Sequence, residues 1–184
     1  MSWKSPTWRE PADFPYSKTI RSVPAAVSGN LMVFYLIASG AYSMQDLLLL
    51  RFPSELRGIP EQQWSLNLGC DIHPICVDDS QDLLCFMSSV SNFECPAPSL
   101  PAHHLVFSFP DVHVRTLSTG EVHPQALTNA VGPIYSFASE GVLCTIYDDL
   151  LMLVVTNPER HILVFNWKTG GQVAKIVSFL FNIS

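Results

Sequence analysis

Apolar residues along this chain come in short blocks separated by proline, glycine and small polar residues. The blocks at 31–37, 47–52, 72–77, 82–88, 103–109, 112–117, 134–138, 142–146, 150–156, 162–167 and 172–179 are rich in Val, Ile, Leu, Phe and Tyr. β-Branched and aromatic residues fit a pleated, half-buried surface, so turn-punctuated runs of this length predict strands. In several the apolar residues alternate, as at Val112 and Val114 and again at Ile162 and Val164, the period of a sheet with one covered face. Fourteen prolines, spread from Pro6 to Pro158, leave few windows in which a helix of ordinary length could run. The best such window is 42–50, yet Leu47 to Leu50 is a continuous apolar block without a polar face and suits a buried strand. The fold class predicted is all-β.

Two stretches interrupt the strand rhythm. Residues 1–26 carry Trp3, Trp8 and Phe14 among prolines without any period and read as an irregular N-terminal arm or cover. Residues 89–101 hold three prolines between two strands and read as a surface insertion.

An internal repeat organises the rest. Asp82-Leu83-Leu84 follows the block Ile75-Cys76-Val77, and Asp149-Leu150-Leu151 follows Val142-Leu143-Cys144. Each unit continues into a strand that closes on Thr-Gly, at Thr119-Gly120 in one and Thr169-Gly170 in the other, where glycine supplies the positive φ of a tight hairpin. The Asp-Leu-Leu triplets are 67 residues apart and the Thr-Gly turns 50, a difference absorbed by the 89–101 insertion. Without it the repeat approaches the roughly 40–50 residues of propeller blades. A unit of three or four antiparallel strands has two edges and a face it cannot bury alone, so it needs to stack on copies of itself. The expectation is a partial, open β-propeller: about three to four blades over 27–176, after the 1–26 arm and before a C-terminal tail, 177–184, that leaves the repeat. A β-sandwich or barrel with a ligand pocket, possible home of a dispersed hydrolase triad, is the competing reading.

Composition narrows the partners. Hydrophobic residues make up 48% and charged residues 14%, which excludes a disordered or charged linker. Ten basic against sixteen acidic residues leave a net charge of −6, the wrong sign for a phosphate backbone or an anionic membrane. Neither nucleic acid nor membrane is an expected partner. The longest apolar stretch, Leu31 to Ala38, is eight residues against the roughly twenty of a membrane helix. Five cysteines, Cys70, Cys76, Cys85, Cys95 and Cys144, are an odd number without a secretory leader before them. They read as reduced thiols of an intracellular protein, cytoplasmic or nuclear.

Candidate chemistry is sparse. Cys70, His73 and Cys76, with Asp71 and Asp78 nearby, have the residue types of a zinc site. Strand residues three apart point to opposite faces, however, and no second Cys or His pair follows at finger distance, so these read as core cysteines. Asp148-Asp149, like Asp78-Asp79 and Asp82, fall at bends and serve turn formation before acid–base chemistry. His103-His104 open a strand and read as solvated. Trp167, after Asn166, stands where a Trp-Asp pair is familiar in propeller blades and reads as a packing residue, with the uncharged Asn weakening any buried network. No Gly-x-Ser-x-Gly elbow, His-Glu-x-x-His or phosphate-cradling loop is present. No catalytic, cofactor-binding or metal residue is assigned, and the protein reads as a non-enzyme.

The runs Arg115-Thr116-Leu117-Ser118-Thr119-Gly120-Glu121-Val122-His123-Pro124 and Phe165-Asn166-Trp167-Lys168-Thr169-Gly170 resemble the blade endings in the WD-repeat-like propeller region of fungal, mushroom-type F-box proteins. Arg51-Phe52-Pro53-Ser54-Glu55-Leu56-Arg57-Gly58-Ile59-Pro60, followed by Trp64, is similar to a connector of the same families, and Asp82-Leu83-Leu84 sits where they place a Q-D-L-L run. The resemblance spans about Val27 to Lys175. It implies a module that presents a protein target for ubiquitin transfer. Upstream of Val27 no leucine-rich helical segment matches the F-box, so docking on the ligase adaptor is not expected, and the chain reads as a fragment that carries only the target-binding half.

Overall fold

The computed structural model describes residues 20–38, 45–70, 72–88, 112–132, 142–156 and 160–177. In that part of the chain the protein is all-β, with single 3-10 turns at Glu55–Arg57 and Asp79–Gln81. The blocks at 103–109 and 134–138, the 89–101 insertion, His103-His104, Asp71, Cys95 and the two chain ends lie outside the described residues.

Strands follow one another as antiparallel meanders. β1 (Ile20–Ser28), β2 (Leu31–Ala38), β3 (Asp46–Arg51) and β4 (Gln62–Asn67) form sheet 1 in chain order. β5 (Ile72–Asp78), β6 (Leu83–Ser88), β7 (Val112–Thr116) and β8 (Ala130–Val131) form sheet 2, and β9 (Val142–Tyr147), β10 (Leu150–Val155), β11 (His161–Asn166) and β12 (Gln172–Val177) form sheet 3. None closes into a barrel, and three stacked sheets are one more than a sandwich has.

Three elements correct the sequence reading. β1 begins at Ile20, inside the stretch read as an irregular arm. Its proline is tolerated because β1 is an edge strand and its register shifts between Pro24 and Ala26, so no ladder bond needs the missing N–H. β4 reads Gln-Gln-Trp-Ser-Leu-Asn, too polar to register as an apolar run, yet Trp64 and Leu66 alternate onto the covered face. β8 is two residues long because the fourth strand of sheet 2 is interrupted. After the bridge from Arg115 to Val122 the chain leaves the sheet and returns at Ala130.

The sheets stack face to face through two cores. Leu31, Val33, Leu47 and Leu49 of sheet 1 pack on Ile75, Leu84, Phe86 and Leu117 of sheet 2. On its other side sheet 2 places Leu83, Cys85, Met87 and Val114 against Leu151, Leu153, Phe165 and Trp167 of sheet 3. β6 is therefore buried along its whole length, and at about 25 cal/mol per Å2 of apolar surface these two cores are the main source of stability.

Candidate functional site: a cleft between the first strands and the turns at its mouth

The first strand of each sheet lies against the next, β1 on β5 and β5 on β9. Between them runs a cleft of about 460 Å3 lined by Ala25–Ser28, Ile75–Asp78 and Cys144–Ile146. Ser28 and Asp78 are the last residues of their strands, so the turns that follow, at 29–30, 79–82 and 148–149, stand at its mouth.

The turns repeat in atomic detail. The N–H groups of Phe52, Leu117 and Trp167, each the first residue past the third strand, donate to Asn30 O at 2.8 Å, Asp82 O at 2.8 Å and Asp149 O at 3.1 Å. In sheets 2 and 3 the Thr-Gly loop then closes identically. Gly120 N–H donates to Thr116 O at 2.9 Å and Gly170 N–H to Asn166 O at 2.8 Å, with φ of 76° and 73° at the glycines. The side chains that steady the loops differ. Asp82 accepts from the N–H and hydroxyl of Ser118 at 2.8 and 2.6 Å, whereas Asp149 takes an ion pair with Lys168 at 2.6 Å.

Each sheet is also tied to the next at this end. The Asp79 carboxylate pairs with Arg51, and the Asp79 N–H donates to Ser28 Oγ at 3.1 Å. Trp64 Nε1–H reaches Leu117 O at 3.1 Å, with the Arg51 guanidinium 5.4 Å over its ring. Between sheets 2 and 3, Gln81 Nε2–H donates to Asp148 O at 2.9 Å and to the Asp78 carboxylate at 2.7 Å. Asp78 is partly buried, which opposes ionisation, but hydrogen bonds from Ser80 and Gln81 outweigh that and hold its carboxyl below the usual range. The aspartates read as turn formers from sequence are thus occupied with turns and ties.

Trp167 is fully buried between sheets 2 and 3, its Nε1–H on Asp148 O at 3.0 Å. Asn166 caps the loop instead of a buried network, accepting from Thr169 N–H at 3.0 Å. Sequence reasoning missed His123, whose ring meets Trp167 edge-on at 4.8 Å between centroids. Gln81 O can only accept and Gln125 N–H can only donate, so their contacts with Nε2 at 3.1 Å and Nδ1 at 3.2 Å fix the Nε2–H tautomer. The available signal was its place beside Pro124, just past the Thr-Gly turn. The excursion that carries it also lays Leu127 N–H on Lys168 O at 2.7 Å.

Cys144 and Cys76 line the cleft, and their thiols form, with that of Cys85 on β6, a hydrogen-bonded chain across the junction of sheets 2 and 3. The bond to Cys76 and burial push the Cys144 thiol far up. Cys76 is raised as well: the bond from Cys144 lowers it, but the bond to Cys85 together with burial outweighs that. Tyr35 is raised by burial and then by the neighbouring Cys144 and Cys76. Cys144, Cys76 and Tyr35 stay protonated and are poor nucleophiles. Cys70 packs on the core between sheets 1 and 2 whereas Cys76 belongs to that between sheets 2 and 3, so the Cys70 and Cys76 of the zinc pattern do not converge. Among the described residues no group of three or more His, Cys, Asp or Glu could hold a metal ion, and no helix is long and apolar enough to cross a membrane. No protein-family model matches the chain, and no curated protein matches it either.

Proposed function

We propose that the three sheets are consecutive blades of a partial β-propeller, and that the protein is a non-catalytic module that binds a protein partner at the mouth of its cleft. The observation that carries this reading is the convergence of β1, β5 and β9, the first strand of every sheet, on one cleft whose mouth is ringed by equivalent turns. That is how a radial array of antiparallel sheets presents a binding end. The resemblance to the propeller region of fungal F-box proteins points the same way, toward recruitment of a target for ubiquitin transfer.

The turns carry Asp78, Asp79, Asp82, Asp148 and Asp149 against Arg51 and Lys168, and Tyr147 is exposed beside them. A basic partner segment with room for an aromatic contact complements that surface. The test is fluorescence polarisation of labelled peptides graded in Lys and Arg content against the full chain. Affinity rises with peptide charge and falls with salt, Asp148→Lys and Tyr147→Ala weaken it several-fold, and Val173→Ala on β12 leaves it unchanged. Equal binding of acidic and basic peptides sinks the reading.

A further inference from the structure

The two internal junctions use one rule. The strand pairings place Leu31, Leu83 and Leu150 in equivalent positions on the second strand of each sheet, with Leu49, Val114 and Val164 equivalent on the third. The face that carries them, here the leading face, is buried in sheet 1 on the opposite, trailing face of sheet 2, which holds Leu84 and Phe86. In sheet 2 it is buried on the trailing face of sheet 3, which holds Leu151 and Leu153. Leading on trailing is thus the arrangement at both junctions.

Among the described residues two sheet faces lie outside both cores, one of each kind. The leading face of sheet 3 presents Met152, Val154, Ile162 and Val164, all only half-buried, flanked by Leu143 at 66% and Tyr147 at 81% exposure. None of the six belongs to either core. The trailing face of sheet 1 presents Met32, Phe34 and Leu36, half-buried, next to Leu48 and Leu50 of β3, which are buried although they belong to neither core, and beside Val27 at 65% exposure. Both are apolar, and each is the kind that the other's counterpart covers inside the chain.

We infer that a second copy of this chain docks head to tail, seating the trailing face of its sheet 1 on the leading face of sheet 3. The new contact continues the established junctions, Phe34 standing where Phe86 and Leu153 stand inside the chain. Because the two faces differ, the contact is heterologous, and two copies that satisfy it at both ends close with twofold symmetry. The product is a ring of six sheets, within the roughly four to eight of radially repeated β-rings. This inference rests on the stacking of the sheets and not on peptide binding at the turns.

The test is light-scattering mass of the full chain over a wide dilution series, with Val164→Glu and Phe34→Glu as variants. The expected result is a discrete species of twice the chain mass. Each variant alone shifts it to monomer, while a mixture of the two restores a dimer through the one junction left intact. The near-ultraviolet circular dichroism of buried Trp167 reports that each variant is folded, and peptide binding by monomeric Val164→Glu separates this result from failure of the turn site. A wild-type chain that stays monomeric at every concentration overturns the inference, as do open-ended polymers. So does a dimer that Val164→Glu leaves intact, or a longer natural polypeptide whose own further sheets cover the leading face of sheet 3.

Discussion

Past the third strand of sheet 2 the chain places Leu117, and past that of sheet 3 it places Trp167, and both donate the same backbone hydrogen bond to an aspartate carbonyl. Each junction nevertheless contains one indole N–H on a main-chain carbonyl. At the first it is Trp64, reaching from sheet 1 to Leu117 O, and at the second it is Trp167 of sheet 3 itself, on Asp148 O. The room that a leucine leaves is filled from the preceding sheet. Where the tryptophan is already in place, the preceding sheet sends an imidazole, His123, into T-shaped contact with it. The fourth strands differ to match, since sheet 2 breaks its own at 123–129 to cover the next turn while β12 runs unbroken. Backbone geometry in this repeat is held by the turn, and junction chemistry is free to vary around it.

The largest expected effect sharpens that contrast. Trp167→Ala empties a fully buried site and costs about 3–5 kcal/mol, read as a lower urea midpoint at unchanged slope. Trp167→Phe costs about 1 kcal/mol, because the Asp148 carbonyl keeps its bond from Gln81. Equal costs for the two would show that the indole bond rather than packing holds the second junction.

Next in size are the two glycines. Gly120→Ala and Gly170→Ala both force alanine into left-handed backbone, about 1–2 kcal/mol each. At Gly170 a Cβ would also sit 2.6 Å from Thr128 Oγ1, whereas at Gly120 the nearest atom is a leucine methyl at 3.4 Å. Gly170→Ala therefore destabilises more in a thermal melt, and Thr128→Ala makes the two substitutions equivalent. A gap that survives Thr128→Ala breaks the claim that the loops share one backbone.

The smallest effect separates the aspartates. Asp82→Asn weakens two short hydrogen bonds to Ser118 and costs about 1 kcal/mol at any ionic strength. Asp149→Asn removes a half-exposed ion pair with Lys168, costs under about 1 kcal/mol, and has little effect in high salt. Chemical denaturation by urea with and without added salt distinguishes them.

Much of the fold was legible because strand formation and turns are local. The alternation at Val112 and Val114, the proline spacing and the paired Thr-Gly loops led to the strands and to the equivalence of Leu117 with Trp167, which the hydrogen bonds repeat. β1 and β4 were missed because an edge strand tolerates proline and a polar strand carries little apolar signal. His123 and Gln81 were missed because their partners, Trp167 and Asp148, are 44 and 67 residues further on.

β6, Leu-Leu-Cys-Phe-Met-Ser, and β10, Leu-Leu-Met-Leu-Val-Val, mark the boundary between the two kinds of information. The sequence by itself determined that both are strands, where they turn and which strands flank them, since those follow from side-chain shape, glycine φ and proline geometry. That all six residues of β6 are buried while only alternate residues of β10 are was decided by tertiary structure alone. Leu83 to Met87 of β6 and all of β10 are apolar, and such a run carries no alternation to say which face is covered. Among the described residues sheet 2 has a sheet on either side, and sheet 3 has one.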